Sequence, residues 1–144
     1  MDYAKYLSIP YVFNAEGFDG SDCYGLVCLY FMEELGIEIL RLKKLITDGD
    51  YRVKTSEIEN YCDDWIAVTT DEARVNDVVL CSRGRGMWHL GVIVSDGVMM
   101  HTTRYKGVTT IKLSRMRGIH GTYRHRSLYD CQSNSEHIRA QEQT

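Results

Sequence analysis

The sequence has a single proline, Pro10, so no proline-rich linker divides it. No apolar run approaches the roughly 18 residues of a membrane span, and no membrane helix is expected. Basic residues do not predominate: 17 Lys and Arg stand against 20 Asp and Glu, a net charge of -3. That balance excludes a strongly basic nucleic-acid binder as a global property. The start, Met1-Asp2-Tyr3-Ala4-Lys5, lacks a basic cluster followed by an apolar stretch, so no secretory signal is expected. Five cysteines stand at 23, 28, 62, 81 and 131, with no Cys-x-x-Cys pair among them. This excludes a zinc ribbon and a thioredoxin-type motif. An odd number at irregular spacing, without a signal, also argues against a disulfide framework. Most of the thiols are expected to be small buried apolar groups.

What is present fits one domain. The chain has 144 residues, 44% apolar and 26% charged, which is ordinary for a globular domain with one core. Residues 1–131 are read as that domain, and the polar stretch 132–144 as a flexible tail. Charge is unevenly placed. From Asp48 to Asp77 there are nine acidic and three basic residues; from Gly97 to Tyr129 there are seven basic and no acidic ones. The basic half suits an anionic polymer such as a cell-wall glycan or nucleic acid, or simply a solvated sheet face.

Residues 23–35 read as a helix, because Tyr24, Leu26, Val27, Tyr30, Phe31 and Leu35 recur at helical spacing. Gly20, Ser21 and Asp22 precede it as turn and cap residues, and Gly36 suits a left-handed C-terminal cap. A second helix is expected from about Ser56 to Trp65, with Ser56 and Glu59 at capping-box spacing. After Asp77 the pattern changes to short β-prone runs: 78–81, 90–94, 98–100, 108–111 and 121–124. Helices first and a strand meander second predict an α+β domain, N-terminal helices on an antiparallel sheet of about five or six strands.

Cys23 falls in the first turn of the first helix. Unpaired N–H groups and the helix dipole there favour thiolate over thiol. Cys28 lies inside the same helix and lacks this environment. His89 opens one expected strand and His101 lies on the next. A cysteine at a helix start with a histidine on a facing strand is the arrangement of thiol acyl transfer, in which a second polar group orients the imidazole. His120, His125 and His137 are read as structural. A metal site built from His89, His101 and a cysteine is a weaker reading, since no close ligand pair seeds it.

Asp22-Cys23-Tyr24-Gly25-Leu26-Val27 resembles the nucleophile motif of the NlpC-type cell-wall cysteine peptidases, small relatives of papain. His89-Leu90-Gly91-Val92-Ile93-Val94 resembles the family's histidine strand, and Val98-Met99-Met100-His101 the strand of its second histidine. The step from His89 to His101 is twelve residues, as in the family. Residues 73–80 resemble the segment leading into its first core strand. Tyr11, twelve residues before Cys23, stands where the family has an active-site tyrosine. The resemblance spans roughly residues 6–126. It implies a papain-like fold and hydrolysis of an amide in peptidoglycan stem peptides, with neither cofactor nor metal. Cys23 would be the nucleophile, His89 the general base and acid, and His101 the group orienting His89. Tyr11 would assist the oxyanion. Three positions depart from the pattern: Tyr24 for Ser, Asn14-Ala15-Glu16-Gly17 for a glycine-rich pair, and Thr102 for a small alanine.

The run 18–27 followed by Glu33-Glu34-Leu35-Gly36-Ile37 is similar to the tail-tip assembly proteins of long-tailed bacteriophages. That branch implies a virion component made in the host cytoplasm and acting in the periplasm or cell wall. Other tail-tip proteins would be its partners, and no nucleic acid would be required. The alternative is a structural tail protein whose peptidase site is vestigial or occluded. A related acyltransferase using the same thiol also stays open.

One geometric condition follows. Side chains alternate along a strand, so a regular two-residue turn at Asp96-Gly97 would put His89 and His101 on opposite faces. A three-residue loop, or a bulge with the same effect, puts them on one face. The second is expected, with Gly97 supplying the left-handed residue.

Overall fold

The computed structural model describes residues 3–39, 64–82 and 88–128. A small hairpin of β1 (Glu16–Gly17) and β2 (Gly20–Ser21) runs into helix α1 (Cys23–Tyr30). Asp22 caps α1: its backbone is extended and its Oδ1 accepts the Gly25 N–H at 2.7 Å. That satisfies one of the amides a helix start leaves orphaned. The last turn, Phe31–Leu35, widens to π form and stops at Gly36 with φ 64°. The expected helix over 23–35 and both of its caps are therefore present.

Six strands form one antiparallel sheet. They are β3 (Trp65–Val68), β4 (Val78–Ser82), β5 (Trp88–Ser95), β6 (Val98–Thr103), β7 (Gly107–Lys112) and β8 (Ile119–His125). Their order is β3-β8-β4-β5-β6-β7. The five runs expected from the sequence appear as β4 to β8. Trp65, expected to end a second helix, instead opens β3; residues 56–63 of that helix lie outside the described residues, as does the stretch 132–144. β8 does not merely close the sheet, because it pairs with β3 on one side and β4 on the other.

The sheet is buried on both faces. Leu26, Val27 and Tyr30 of α1, with Phe31 of the turn that follows it, cluster with Val78, Val92, Val94, Met100 and Val108. Val79, Cys81, Ile93 and Met99 form a second cluster, covered by Ala73, Leu113 and Met116. Fully burying an aliphatic or aromatic side chain of this kind contributes about 1.5–3 kcal/mol. Both faces being apolar explains why the strands read as continuous apolar runs rather than as alternating ones.

Two polar ties cross the core. Arg124 donates from Nε to Asp77 Oδ1 at 2.8 Å and from Nη2 to Asp77 Oδ2 at 2.9 Å, and Nη2 also reaches the Glu72 carbonyl at 2.9 Å. The Asp77 side chain is fully buried and that of Arg124 nearly so. Near the N-terminus, the Tyr6 hydroxyl donates to Glu34 Oε1 at 2.6 Å, and Lys5 pairs with the same oxygen at 2.9 Å. The Tyr6 hydrogen bond, then Lys5, holds the Glu34 carboxyl below the usual carboxylate range. This tie fastens the segment leading to Tyr11 onto the end of the first helix.

Candidate active site

The candidate site draws on three places in the chain. The first is the start of α1. Cys23 is its first residue and is half-exposed, whereas Cys28 and Cys81 are buried. Asp22 is buried and does more than cap the helix. Its Oδ2 accepts the Asn14 N–H at 2.8 Å, and its own N–H donates to the Ala15 carbonyl at 3.1 Å. One carboxylate thus joins the 12–15 loop to the residue before Cys23.

The second place is the segment holding Tyr11. Tyr11 pairs with Ser21 in a parallel bridge. The Ser21 N–H donates to the Pro10 carbonyl at 3.0 Å, and the Val12 N–H to the Ser21 carbonyl at 3.1 Å. A side chain at position 20 would overlap the Val12 side chain, so this close approach needs Gly20. Tyr11 is in this way fixed beside the residue two before the helix start.

The third place is the β5–β6 hairpin, which lies under α1. The turn is the tight Asp96-Gly97 pair, with Ser95 opposite Val98 and Gly97 at φ 69°. A bulge between Ile93 and Ser95 then shifts the register, so that Ile93 faces Met99 and Val92 faces Met100. Continued along the strands, this register sets His89 opposite Thr103 and leaves His101 two positions away on the same face. The condition derived from the sequence is met by a bulge. His89 Nε2 lies 2.8 Å from His101 Nδ1, with ring centroids 5.0 Å apart and the rings near-perpendicular. Both rings are buried, at 7% and 6% exposure.

That contact constrains the tautomers, because one nitrogen must donate and the other accept. If His89 Nε2 carries the proton, its Nδ1 holds a lone pair able to take another. Directly across the ladder from His89 is Cys81, fully buried, which makes the floor beside the imidazole apolar.

Some neighbours were not singled out in the sequence. Trp88, next to His89, meets the exposed His120 edge to face at 5.0 Å. Only the sheet order brings His120 of β8 within reach of the start of β5, across β4. The Asp77–Arg124 pair spans 47 positions, and no local pattern announces it. His125 is structural as expected, in ring contact with Trp65 at 5.1 Å and Phe31 at 6.1 Å. His137 lies outside the described residues, as do Cys62 and Cys131. Among the described residues, no group of three His, Cys, Asp or Glu is arranged to hold a metal ion, and no helix is long and apolar enough to cross a membrane.

The NlpC/P60 family model matches residues 8–129 of the chain. No curated protein matches it. Among solved structures, the NlpC/p60 domain of the peptidoglycan hydrolase SagA superposes with a TM-score of 0.56 at 18% identity, covering 83% of this chain and 89% of that one. An NlpC/P60 family protein from Bacillus cereus gives 0.61 at 20% identity, covering 83% of this chain but 36% of its own length. The peptidoglycan hydrolase RipB from Mycobacterium tuberculosis gives 0.58 at 20% identity, covering 85% and 60%. The chain thus spans most of the SagA domain and less than two thirds of the other two. At these identities the likeness is one of fold: a papain-like α+β arrangement with a helix on a six-stranded antiparallel sheet.

Proposed function

The chain belongs to the NlpC/P60 family, and from that premise we propose that it is a cysteine peptidase hydrolysing an amide bond in peptidoglycan stem peptides. The observation that carries the reading is the 2.8 Å bond between His89 and His101 on the hairpin that α1 packs against, the half-exposed Cys23 being the first residue of α1. His101 accepts the His89 Nε2 proton, which leaves Nδ1 of His89 to exchange a proton with the thiol. The Cys23 thiolate attacks the amide carbonyl. The charge on oxygen is met by the backbone N–H at the helix start and by the Tyr11 hydroxyl. The C–N bond then breaks, and the amine departs with the proton held on His89. Water, deprotonated by His89, hydrolyses the thioester and frees Cys23.

The test is digestion of purified peptidoglycan followed by mass analysis of the soluble products. Fragments carrying one new amine and one new carboxyl, from a single bond type, are expected. Glycan fragments with intact stem peptides, or none at all, would overturn the assignment.

The finer reading, a tail-tip component that opens the cell wall locally during infection, rests on the run 18–27 and on Glu33-Glu34-Leu35-Gly36-Ile37. It expects the protein in purified tailed particles, associated with other tail-tip proteins. Particles lacking the protein would refute it. A purely structural tail role differs in one respect, that the isolated protein would leave peptidoglycan intact.

A further inference from the structure

The turn joining β6 to β7 consists of Arg104, Tyr105 and Lys106, all three exposed. Tyr105 is 98% exposed, the extreme among the large hydrophobic side chains described. A fully solvated aromatic on a short turn contributes nothing to the core, and here it is flanked by two cations.

The turn is held in place. The Lys106 N–H donates to Thr103 Oγ1 at 3.2 Å. Just beyond it, the Val108 N–H donates to the Ile9 carbonyl at 2.9 Å, and the Ser8 N–H to the Val108 carbonyl at 3.0 Å. Gly107 has φ 67°, and a Cβ there would lie 2.5 Å from the Ile9 carbonyl oxygen, so the turn sits against the segment that continues into Pro10 and Tyr11. It also lies at the sheet end where β5 starts and β6 finishes, the end that holds His89 and His101. The surrounding stretch from Gly97 to Tyr129 has seven basic residues and no acidic one.

We propose that the Arg104–Lys106 turn is the substrate-gripping rim of the site, with Tyr105 stacking on a sugar ring of peptidoglycan and Lys106 and Arg104 pairing with stem-peptide carboxylates. The inference rests on the peptidoglycan reading above and deepens it. A carbohydrate ring offers a C–H face to an aromatic, and stem peptides carry free carboxylates, so one polymer satisfies both chemistries of the turn. The turn is fixed to the Tyr11 segment, so binding there presents the polymer to Cys23 at a constant distance.

The experiment reads binding apart from cleavage. The full chain with Cys23→Ala is co-sedimented with purified peptidoglycan sacculi, alone and with Tyr105→Ala plus Lys106→Glu. The double change is expected to weaken retention about tenfold, with an unchanged melting temperature because both side chains are exposed. Lys106→Glu by itself is expected to give part of that loss and to reduce the salt dependence of binding. Equal retention of the altered and unaltered turns would overturn the proposal, and fragment release by the native chain would then leave the hydrolase reading intact. Turn-dependent retention without any fragment release would sustain the proposal and refute the hydrolase. Equal retention on heparin, an unrelated anionic glycan, would also overturn it, since it would mark a nonselective cationic patch.

Discussion

His89 and His101 meet at 2.8 Å because β5 carries a bulge between Ile93 and Ser95 that β6 does not share. Without the extra residue, the tight Asp96-Gly97 turn would set the two rings on opposite faces of the sheet. In the proposed mechanism this relation makes His101 a positioning residue that acts on the substrate through His89. His101→Ala is expected to lower kcat by about 10²-fold and to alter the pH profile of kcat/KM. His101→Asn retains an oxygen that can accept the Nε2 proton of His89 and should keep more of the rate. Equal rates and unaltered profiles for both variants would show that the contact is only structural.

Cys23 is half-exposed at a helix N-terminus, while Cys28 and Cys81 are buried. Near neutral pH, iodoacetamide should modify Cys23 well before those two, as mapped by peptide mass analysis of the folded protein. Modification of Cys28 or Cys81 at a similar rate would remove the basis for a privileged thiolate.

The Asp77–Arg124 pair is buried and doubly hydrogen-bonded. Removing one partner leaves a desolvated charge, so Arg124→Met should destabilise the fold by about 3–5 kcal/mol. A urea midpoint shifted to that extent at constant slope would bear this out. A shift below about 1 kcal/mol would mean that the site admits water.

His125 links acidity to stability. Burial pushes its imidazole below the ordinary value of about 6.5, against an opposing pull from Asp64. Its Nδ1 accepts the Ser127 N–H at 3.2 Å, an arrangement that needs the neutral ring. The folded state therefore binds fewer protons than the unfolded one. The contribution is complete above about pH 6.5 and is lost as pH falls from there through the lowered folded value. Thermal melts should show the midpoint dropping between about pH 7 and pH 5, and His125→Gln should flatten that drop. An identical pH dependence in the variant would exclude His125 as its source.

These tests probe features that were unequally visible in the sequence. The helix at 23–35 was legible because its apolar spacing, the Asp22 cap and Gly36 agree locally. β4 to β8 were legible as β-prone runs between turn residues. β3 was not, since Trp65–Val68 follows an acidic stretch whose Ser56 and Glu59 suggested a helix running through Trp65. The placement of β8 between β3 and β4 depends on long-range pairing that no local spacing encodes. Of the candidate site, Cys23, His89, His101 and Tyr11 stand out in the sequence by motif. The second hydrogen bond of Asp22, to the Asn14 N–H, needed the loop conformation in which Asn14 has φ 62°.

The central claim is that Cys23 performs amide hydrolysis on peptidoglycan. Its most direct test compares native protein, Cys23→Ser and Cys28→Ser on purified sacculi, quantifying new amine termini. The account predicts steady release by the native chain and by Cys28→Ser, and none above background by Cys23→Ser, with similar melting temperatures for native and Cys23→Ser. Release by Cys23→Ser at the native rate would contradict it.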